Sequence, residues 1–224
     1  MKEHFSEQLE TLRQQLIILG AESESQIRLA VEALITADAE KANAVIAHDS
    51  VIDQMELRNE EFAIHLLALQ QPVAVDLRFL VSALKINNDL ERIGDHAVNI
   101  AESAVRLSAM RPFKPWIDIP HMAEVARTML KKSLDSFVRR DTAMAIEVCK
   151  EDDILDQKHR SIIRELLTYM AEHHSLISSC IEIMNVSKNL ERVGDLATNI
   201  AEESIFIVEG RTIKHHNDLR EASR

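Results

Sequence analysis

The chain has 224 residues, of which 46% are hydrophobic and 28% are charged, as in globular rather than disordered proteins. Four glycines, four prolines and an aromatic content of 4% predict long helices joined by short turns, without strands. The net charge of −11 disfavours nucleic acid as a partner, because an acidic chain repels phosphate backbones. It suits the binding of cations, although an excess of acid also serves solubility alone.

The two cysteines, Cys149 and Cys180, form no CxxC pair and no zinc-site spacing, so we expect each to be a buried, reduced thiol. The first twenty residues are amphipathic and charged, unlike a secretory signal, and no apolar run reaches the roughly 18–20 residues of a membrane span. We therefore expect a cytoplasmic protein that is at most peripheral to a membrane.

Six long helices are predicted from apolar residues that recur at steps of three and four. The first covers 4–37, and Gly20 within it is interpreted as the site of a bend. Asp38 is the predicted N-cap of the second helix, which covers 39–70 and ends before Pro72. The third begins at 75 or 76 and reaches about residue 109.

A linker over 110–120, which holds three of the four prolines, separates these helices from three more. The fourth helix is predicted over 121–139. Asp141 is the N-cap candidate of the fifth, over 142–173, and the sixth runs over 176–208 until Gly210 stops it. Residues 211–224 form a polar tail.

The second set of helices repeats the first. "NDLERIGDHAVNIAES", residues 88–103, returns as "KNLERVGDLATNIAEE", residues 188–203, with about ten identities. "DAEKANAVIAHDSVIDQ" from Asp38 aligns without gaps to "DTAMAIEVCKEDDILDQ" from Asp141. A duplicated three-helix unit is the simplest account, so we predict an all-α fold of two tandem three-helix bundles, over 1–110 and 121–210.

The repeated motif carries two stripes when it is placed on a helix. The core face is formed by small and aliphatic residues, namely Leu90, Ile93, Ala97, Ile100 and Ala104. The second stripe is polar and points away from that face; it consists of Glu91, Asp95, Asn99 and Glu102. Gly94 lies between the stripes and lets another group approach closely.

Each half also carries two helices with a pair of acids four residues apart. The pairs are Asp49 with Asp53, Glu91 with Asp95, Asp152 with Asp156, and Glu191 with Asp195. Acids at this spacing repel, at a cost on the order of 1–2 kcal/mol for four pairs. One interpretation is a solvated acidic face, but repetition at matched places in both halves favours a metal site.

Facing acid pairs would bring four carboxylates together, which suits Mg²⁺, Mn²⁺ or iron in sites that can hold more than one ion. Zinc is disfavoured because no Cys or His joins the pattern. His96 follows Asp95, but Leu196 stands in its place in the second half, so we expect His96 to turn to solvent. Additional ligands, or groups that support the ligands, would come from Asn99, Glu102, Asn199 and Glu202.

The segments "LERIGDHAVNIAE", "LERVGDLATNIAE", "LALQQPVAVDLR" and "DSVID" resemble those of the PhoU family of phosphate-transport regulatory proteins. The resemblance covers nearly the whole chain and implies two three-helix bundles side by side. It also implies metal sites, often multinuclear, on the duplicated acid motifs. By position these acids are Asp49, Asp53, Glu91, Asp95, Asp152, Asp156, Glu191 and Asp195.

The family resemblance further implies a regulatory function without enzymatic chemistry. Similar proteins relay phosphate status between a Pst-type phosphate ABC transporter and a sensor histidine kinase, and repress the phosphate-starvation response. The transporter ATPase and the kinase are therefore the implied partners, and a homodimer would suit a flat helical slab. The residues agree, because the chain shows no Ser/His/Asp set and no phosphate-binding Gly-rich loop.

Two alternatives stay open. A ferritin-like di-iron enzyme would need Glu-x-x-His pairs on facing helices, and the nearest match, Asp156 with His159, is not duplicated. A metal-free helical scaffold would instead use the acids to contact basic partner surfaces.

Overall fold

The structure, a computed structural model, describes residues 2–110 and 118–212. It contains six α-helices: α1 (Lys2–Thr36), α2 (Ala39–Gln70), α3 (Ala74–Ser108), α4 (Ile119–Arg139), α5 (Thr142–Glu172) and α6 (Ile177–Glu209). A short 3₁₀ turn, His174–Leu176, precedes α6. The predicted all-α fold is confirmed, whereas most of the predicted linker (111–117) and polar tail (213–224) lie outside the described residues.

The helix ends follow local chemistry. A carboxylate oxygen of Asp38 accepts a hydrogen bond from the Lys41 N–H at 2.9 Å, and Asp141 accepts one from the Met144 N–H at 3.1 Å. Gly210 takes a left-handed φ of 71° and its N–H donates to the Phe206 carbonyl. Helix α4 begins two residues before its predicted start, because Pro120 is tolerated in a first helical turn.

Helices α1, α2 and α3 form one bundle, and α4, α5 and α6 form the other. The bundles join where α3 packs on α6 and α1 packs on α4. Helices α3 and α6 are antiparallel, since Ser82 early in α3 donates to Glu203 late in α6, while Arg106 late in α3 pairs with Glu182 early in α6. The predicted core face of α3 is buried throughout.

Three glycines allow helices to approach one another closely. A Cβ added at Gly94 would lie 2.9 Å from Cδ1 of Ile52 on α2, and one added at Gly194 would overlap Cδ2 of Leu155 on α5. Helix α1 continues through Gly20, and a Cβ added there would lie 2.6 Å from Leu134 on α4. The bend expected at Gly20 stays a prediction. The small size of this glycine serves the contact between the bundles.

The expectation that His96 turns to solvent is wrong. Its Nδ1 lies 2.8 Å from the amide oxygen of Asn189 across the contact between α3 and α6. Burial lowers the pKa of His96, and the hydrogen bond to Asn189 opposes that effect. Helical periodicity places His96 beside the acid stripe but cannot show that α6 covers it.

Cys149 and Cys180 are buried free thiols, as predicted. Burial raises the pKa of Cys149 to about 12, which keeps its sulfur protonated and unreactive. Within the part of the chain that the structure describes, no helix is long and apolar enough to cross a membrane.

We expect Gly194→Ala to lower the free energy of unfolding by about 1–2 kcal/mol, because the added methyl group overlaps Leu155 in a packed contact. At an ordinary helical position the same change stabilises by about 1 kcal/mol. Urea unfolding followed by circular dichroism measures the difference. Adding Leu155→Val should recover part of the loss, and a stabilised Gly194→Ala variant would contradict the close approach.

Candidate metal centre

The first acid cluster lies in the groove between α2 and α3. Asp49 and Asp53 are one helical turn apart on α2, and Glu91 and Asp95 are one turn apart on α3. The charges of Asp49, Asp53 and Asp95 all act on Glu91, which shows that the two pairs face each other across the groove. The contact of Ile52 with Gly94 lies among these four acids and sets the spacing of the two helices.

Electrostatic repulsion in this cluster has little to oppose it. Burial, as the largest cause, and four neighbouring carboxylates together raise the pKa of Glu91 to about 7. Burial, then Asp53 and Asp95, raise the pKa of Asp49 in the same way. Among the described residues, none of the four predicted acids of this cluster makes an ion pair, and no group donates a hydrogen bond to the buried Oδ1 of Asp49.

Glu56 is a fifth acid of this cluster, and it is not among the acids predicted from the sequence. Its charge acts on Glu91, and its side-chain and main-chain oxygens accept hydrogen bonds from the Asn87 amide at 3.0 and 2.9 Å. Asn59 in turn donates to Asn87 at 3.0 Å, so a buried amide pair holds Glu56 in position. The spacing of three residues from Asp53 was a signal that could have identified Glu56.

The second cluster lies in the equivalent groove between α5 and α6. The charges of Asp195, Asp156 and Asp152 act on Glu191, so the four predicted acids again face one another. Burial is the first cause of the raised pKa of Glu191, followed by Asp195, while Arg192 opposes the rise.

Arginines partly neutralise the second cluster. Arg192 lies 2.7 Å from Asp195 and 3.4 Å from Glu191, and Arg160 lies 3.0 Å from Asp156. In the first half the equivalent Arg92 pairs instead with Asp89, three residues before it, at 3.6 Å. Asn189 replaces Asp89 in the second half, which leaves Arg192 to pair with the acids of the cluster.

The two clusters also differ at one ligand position. His159 occupies the place that Glu56 has in the first half, and its Nδ1 lies 2.8 Å from Oγ of Ser187, the equivalent of Asn87. The di-iron alternative would use Asp156 and His159 as a pair of ligands. In the structure Asp156 forms an ion pair with Arg160, and His159 shares a hydrogen bond with Ser187.

The residues predicted as additional ligands or supporting groups, Asn99, Glu102, Asn199 and Glu202, lie in different environments. Glu102 is exposed and pairs with Arg106 at 3.5 Å, and Asn99 is exposed. Asn199 donates a hydrogen bond to Asp89 across the contact between α3 and α6, where burial raises the pKa of Asp89 to about 6. Glu202 and Asp152 both act on Cys149, which places Glu202 near the second cluster.

In the side-chain positions described for 2–110 and 118–212, no three His, Cys, Asp or Glu side chains are close enough to hold a metal ion. The acids therefore face each other without forming a closed set of ligands. Carboxylates repel until a cation lies between them, so side-chain rotation would have to complete such a site. The buried Oδ1 of Asp49, which accepts no hydrogen bond, fits a cation ligand.

The raised pKa of Glu91 predicts a fall in stability with rising pH in the presence of a chelator. The folded protein holds the Glu91 proton up to about pH 7, whereas the unfolded chain releases it near the ordinary value of 4.5. This part of the stability is complete below pH 4.5 and is lost as the pH rises through about 7. Urea unfolding of Glu91→Gln should show a smaller decline over this range. Glu102→Gln is the exposed control, and an unchanged decline in Glu91→Gln would contradict the burial of Glu91.

The model of the PhoU domain matches the chain twice, over residues 16–104 and 119–204. A "phosphate-specific transport system accessory protein PhoU homolog" of Clostridium acetobutylicum is 39% identical over 93% of this chain and 96% of its own length. The homolog of the same name from Pseudomonas aeruginosa is 37% identical over 96% of this chain and 89% of its own length.

Two solved structures share the fold. The crystal structure of PhoU from Pseudomonas aeruginosa superposes with a TM-score of 0.88 at 38% identity, and covers 92% of this chain and 100% of that one. The phosphate transport system regulatory protein PhoU from Streptococcus pneumoniae also gives 0.88, at 28% identity, with coverage of 94% and 100%. The duplicated bundles, the repeated acid motifs and these similarities together show that the chain belongs to the PhoU family.

Proposed function

We propose that this protein is a metal-binding regulator of phosphate uptake. The relatives are described as accessory or regulatory proteins of phosphate transport, which supports the regulatory part. The observation that supports metal binding is the first acid cluster, where five carboxylates from α2 and α3 repel one another. Among the described residues, no cationic side chain forms an ion pair with any of the four predicted acids. A cation between the helices would remove that repulsion.

In this proposal the first site is held by Asp49, Asp53, Glu91 and Asp95, with Glu56 as a further oxygen ligand. The second is held by Asp152, Asp156, Glu191 and Asp195, once Arg160 and Arg192 move aside. Oxygen ligands favour Mg²⁺, Mn²⁺ or iron, and a shared carboxylate can bridge two ions. The first site should bind more tightly, because none of the arginines in the described part of the chain pairs with its four predicted acids.

The regulatory part of the proposal includes specific partners. The protein acts in the cytoplasm, contacts the ATPase subunit of a phosphate ABC transporter, and relays phosphate status to a sensor histidine kinase. The result is repression of the phosphate-starvation response when phosphate is plentiful. The role is regulatory rather than catalytic, needs no nucleic acid, and is compatible with a homodimer.

A metal-free scaffold is the second candidate, and one observation favours it. Arg160 and Arg192 already pair with three of the four acids of the second cluster, so that half can be stable without a cation. The scaffold would keep the same regulatory role and use the first cluster to contact a basic surface.

Removal of two acids should distinguish these candidates. Glu91→Ala combined with Asp95→Ala should lower the metal bound per chain by about half, measured by elemental analysis after loading with Mn²⁺ or iron and desalting. The control, Glu61→Ala with Glu165→Ala, removes the same charge from exposed positions of α2 and α5 and should bind as the unaltered chain does. Unaltered protein that takes up no metal, and is not stabilised against heat by Mn²⁺, iron or Mg²⁺, would support the scaffold.

Deletion of the gene tests the regulatory part separately. In phosphate-rich medium the deletion strain should express phosphate-scavenging genes at the level that the parent shows only in starvation, measured by transcript abundance. The chain supplied on a plasmid should restore repression. Unchanged transcripts in the deletion strain would contradict the regulatory role whatever the metal content.

A further inference from the structure

The exposed apolar side chains of this protein are duplicated along with its acids. Sixteen large hydrophobic residues are exposed among the described ones, and ten of them occupy equivalent positions in the two halves. These equivalent pairs are Ile35 with Val138, Val51 with Ile154, Ile64 with Leu167, Leu77 with Ile177, and Val81 with Ile181. Scattered exposed hydrophobics are normal, but chance does not pair most of them after the halves have diverged.

Three of these pairs lie on the same helical stripes as the acid clusters. Ile64 follows Glu60 by one turn on the stripe of α2 that carries Asp53, and Leu77 and Val81 lie on the stripe of α3 that leads to Glu91 and Asp95. Only a short turn joins α2 to α3, so the last turns of α2, which carry Ile64, lie beside the first turns of α3, which carry Leu77 and Val81. These three residues form one surface, which we call patch A. The equivalent residues of α5 and α6 form patch B (Leu167, Ile177 and Ile181).

The packing of α3 on α6 places the two patches around a pseudo-two-fold axis. The helices are antiparallel, so patch A is at one end of their shared face and patch B is at the other. Arg106 of α3 lies opposite Glu182 of α6, so Ile181 lies at the level of the residue after Arg106. Val81 is about 26 residues before that point, which separates the patches by roughly 40 Å.

The surface between the patches is acidic. Both acid clusters lie on the same stripes between the two ends, and the whole chain carries a net charge of −11. A complementary partner would therefore present basic groups between two apolar recesses. A symmetric protein dimer carries the same recess on each of its two subunits, so it can offer one recess to each patch. Two-fold symmetric dimers are the commonest protein oligomers.

We propose that this face binds one two-fold symmetric protein dimer, with patch A in an apolar recess of one subunit and patch B in the same recess of the other. One chain thus engages two partner subunits. The internal duplication supplies the symmetry that a second copy of the chain would otherwise provide. The inference rests on the proposed function for the choice of partner, which is a pair of ATPase subunits of the phosphate transporter.

The test measures stoichiometry and affinity with purified ATPase subunits from the same organism. Native mass spectrometry of the unaltered chain should show one chain with two subunits. Leu77→Glu with Val81→Glu should weaken binding at least about tenfold, and Ile177→Glu with Ile181→Glu should weaken it by a similar factor, since each removes one anchor. All four substitutions together should abolish binding, because the avidity of two linked contacts is lost.

Val51→Glu with Ile154→Glu is the matched control. These residues are 42% and 49% exposed, against 42% for Leu77 and 47% for Ile181, and they are also duplicated, but they lie on the opposite side of α2 and α5 from the acid stripes. Circular dichroism should show every variant folded, and the control should bind as the unaltered chain does.

Three outcomes would overturn this assignment. In the first, the complex has one subunit per chain and is sensitive to one patch only. In the second, binding survives both double substitutions, or the control weakens it equally. In the third, the patches hold a second copy of the chain, seen as a homodimer that the substitutions dissociate. Absence of any binding by the unaltered chain would contradict the proposed transporter contact as well, which distinguishes that failure from the other three.

Discussion

The close contact of α2 with α3 at Gly94, and of α5 with α6 at Gly194, is the constraint on which both acid clusters depend. A glycine at each crossing lets Ile52 or Leu155 pack directly against a neighbouring helix backbone. The acids on either side of the crossing are carried into the same groove, although their charges repel. Apolar packing therefore provides the free energy that holds the carboxylates together, and this explains why burial is the first cause of the raised pKa of Glu91 and Glu191.

The two halves share this architecture but not its electrostatics. One sequence difference accounts for much of this: the first half has Asp89 where the second has Asn189. Arg92 therefore pairs with Asp89, outside the first cluster, whereas the equivalent Arg192 pairs with Asp195 and partly neutralises the second cluster. A second difference, Glu56 against His159, gives the first groove an additional oxygen where the second has an imidazole. Duplication thus preserves the shape of the site while its charge diverges.

The contact between the bundles gives the molecule its pseudo-symmetry. Polar pairs across α3 and α6, including His96 with Asn189 and Ser82 with Glu203, fix the antiparallel arrangement that relates one half to the other. Because of that arrangement, features encoded twice in the chain appear at opposite ends of one face. The acid clusters and the apolar patches are then parts of a single extended surface instead of two independent ones.

The amino-acid sequence by itself determined the features that depend on local physics. These features each depend on residues within a few helical turns: the helix period, N-caps such as Asp38 and Asp141, the stop at Gly210 and the core stripe of α3. The duplication was visible as repeated sequence motifs. Only the tertiary structure decided that Gly20 serves a contact between bundles, that His96 faces Asn189, and that Glu56 joins the first cluster. These outcomes depend on which helix lies opposite a given side chain, and the crossing of two helices distant in the chain is not contained in the periodicity of either one.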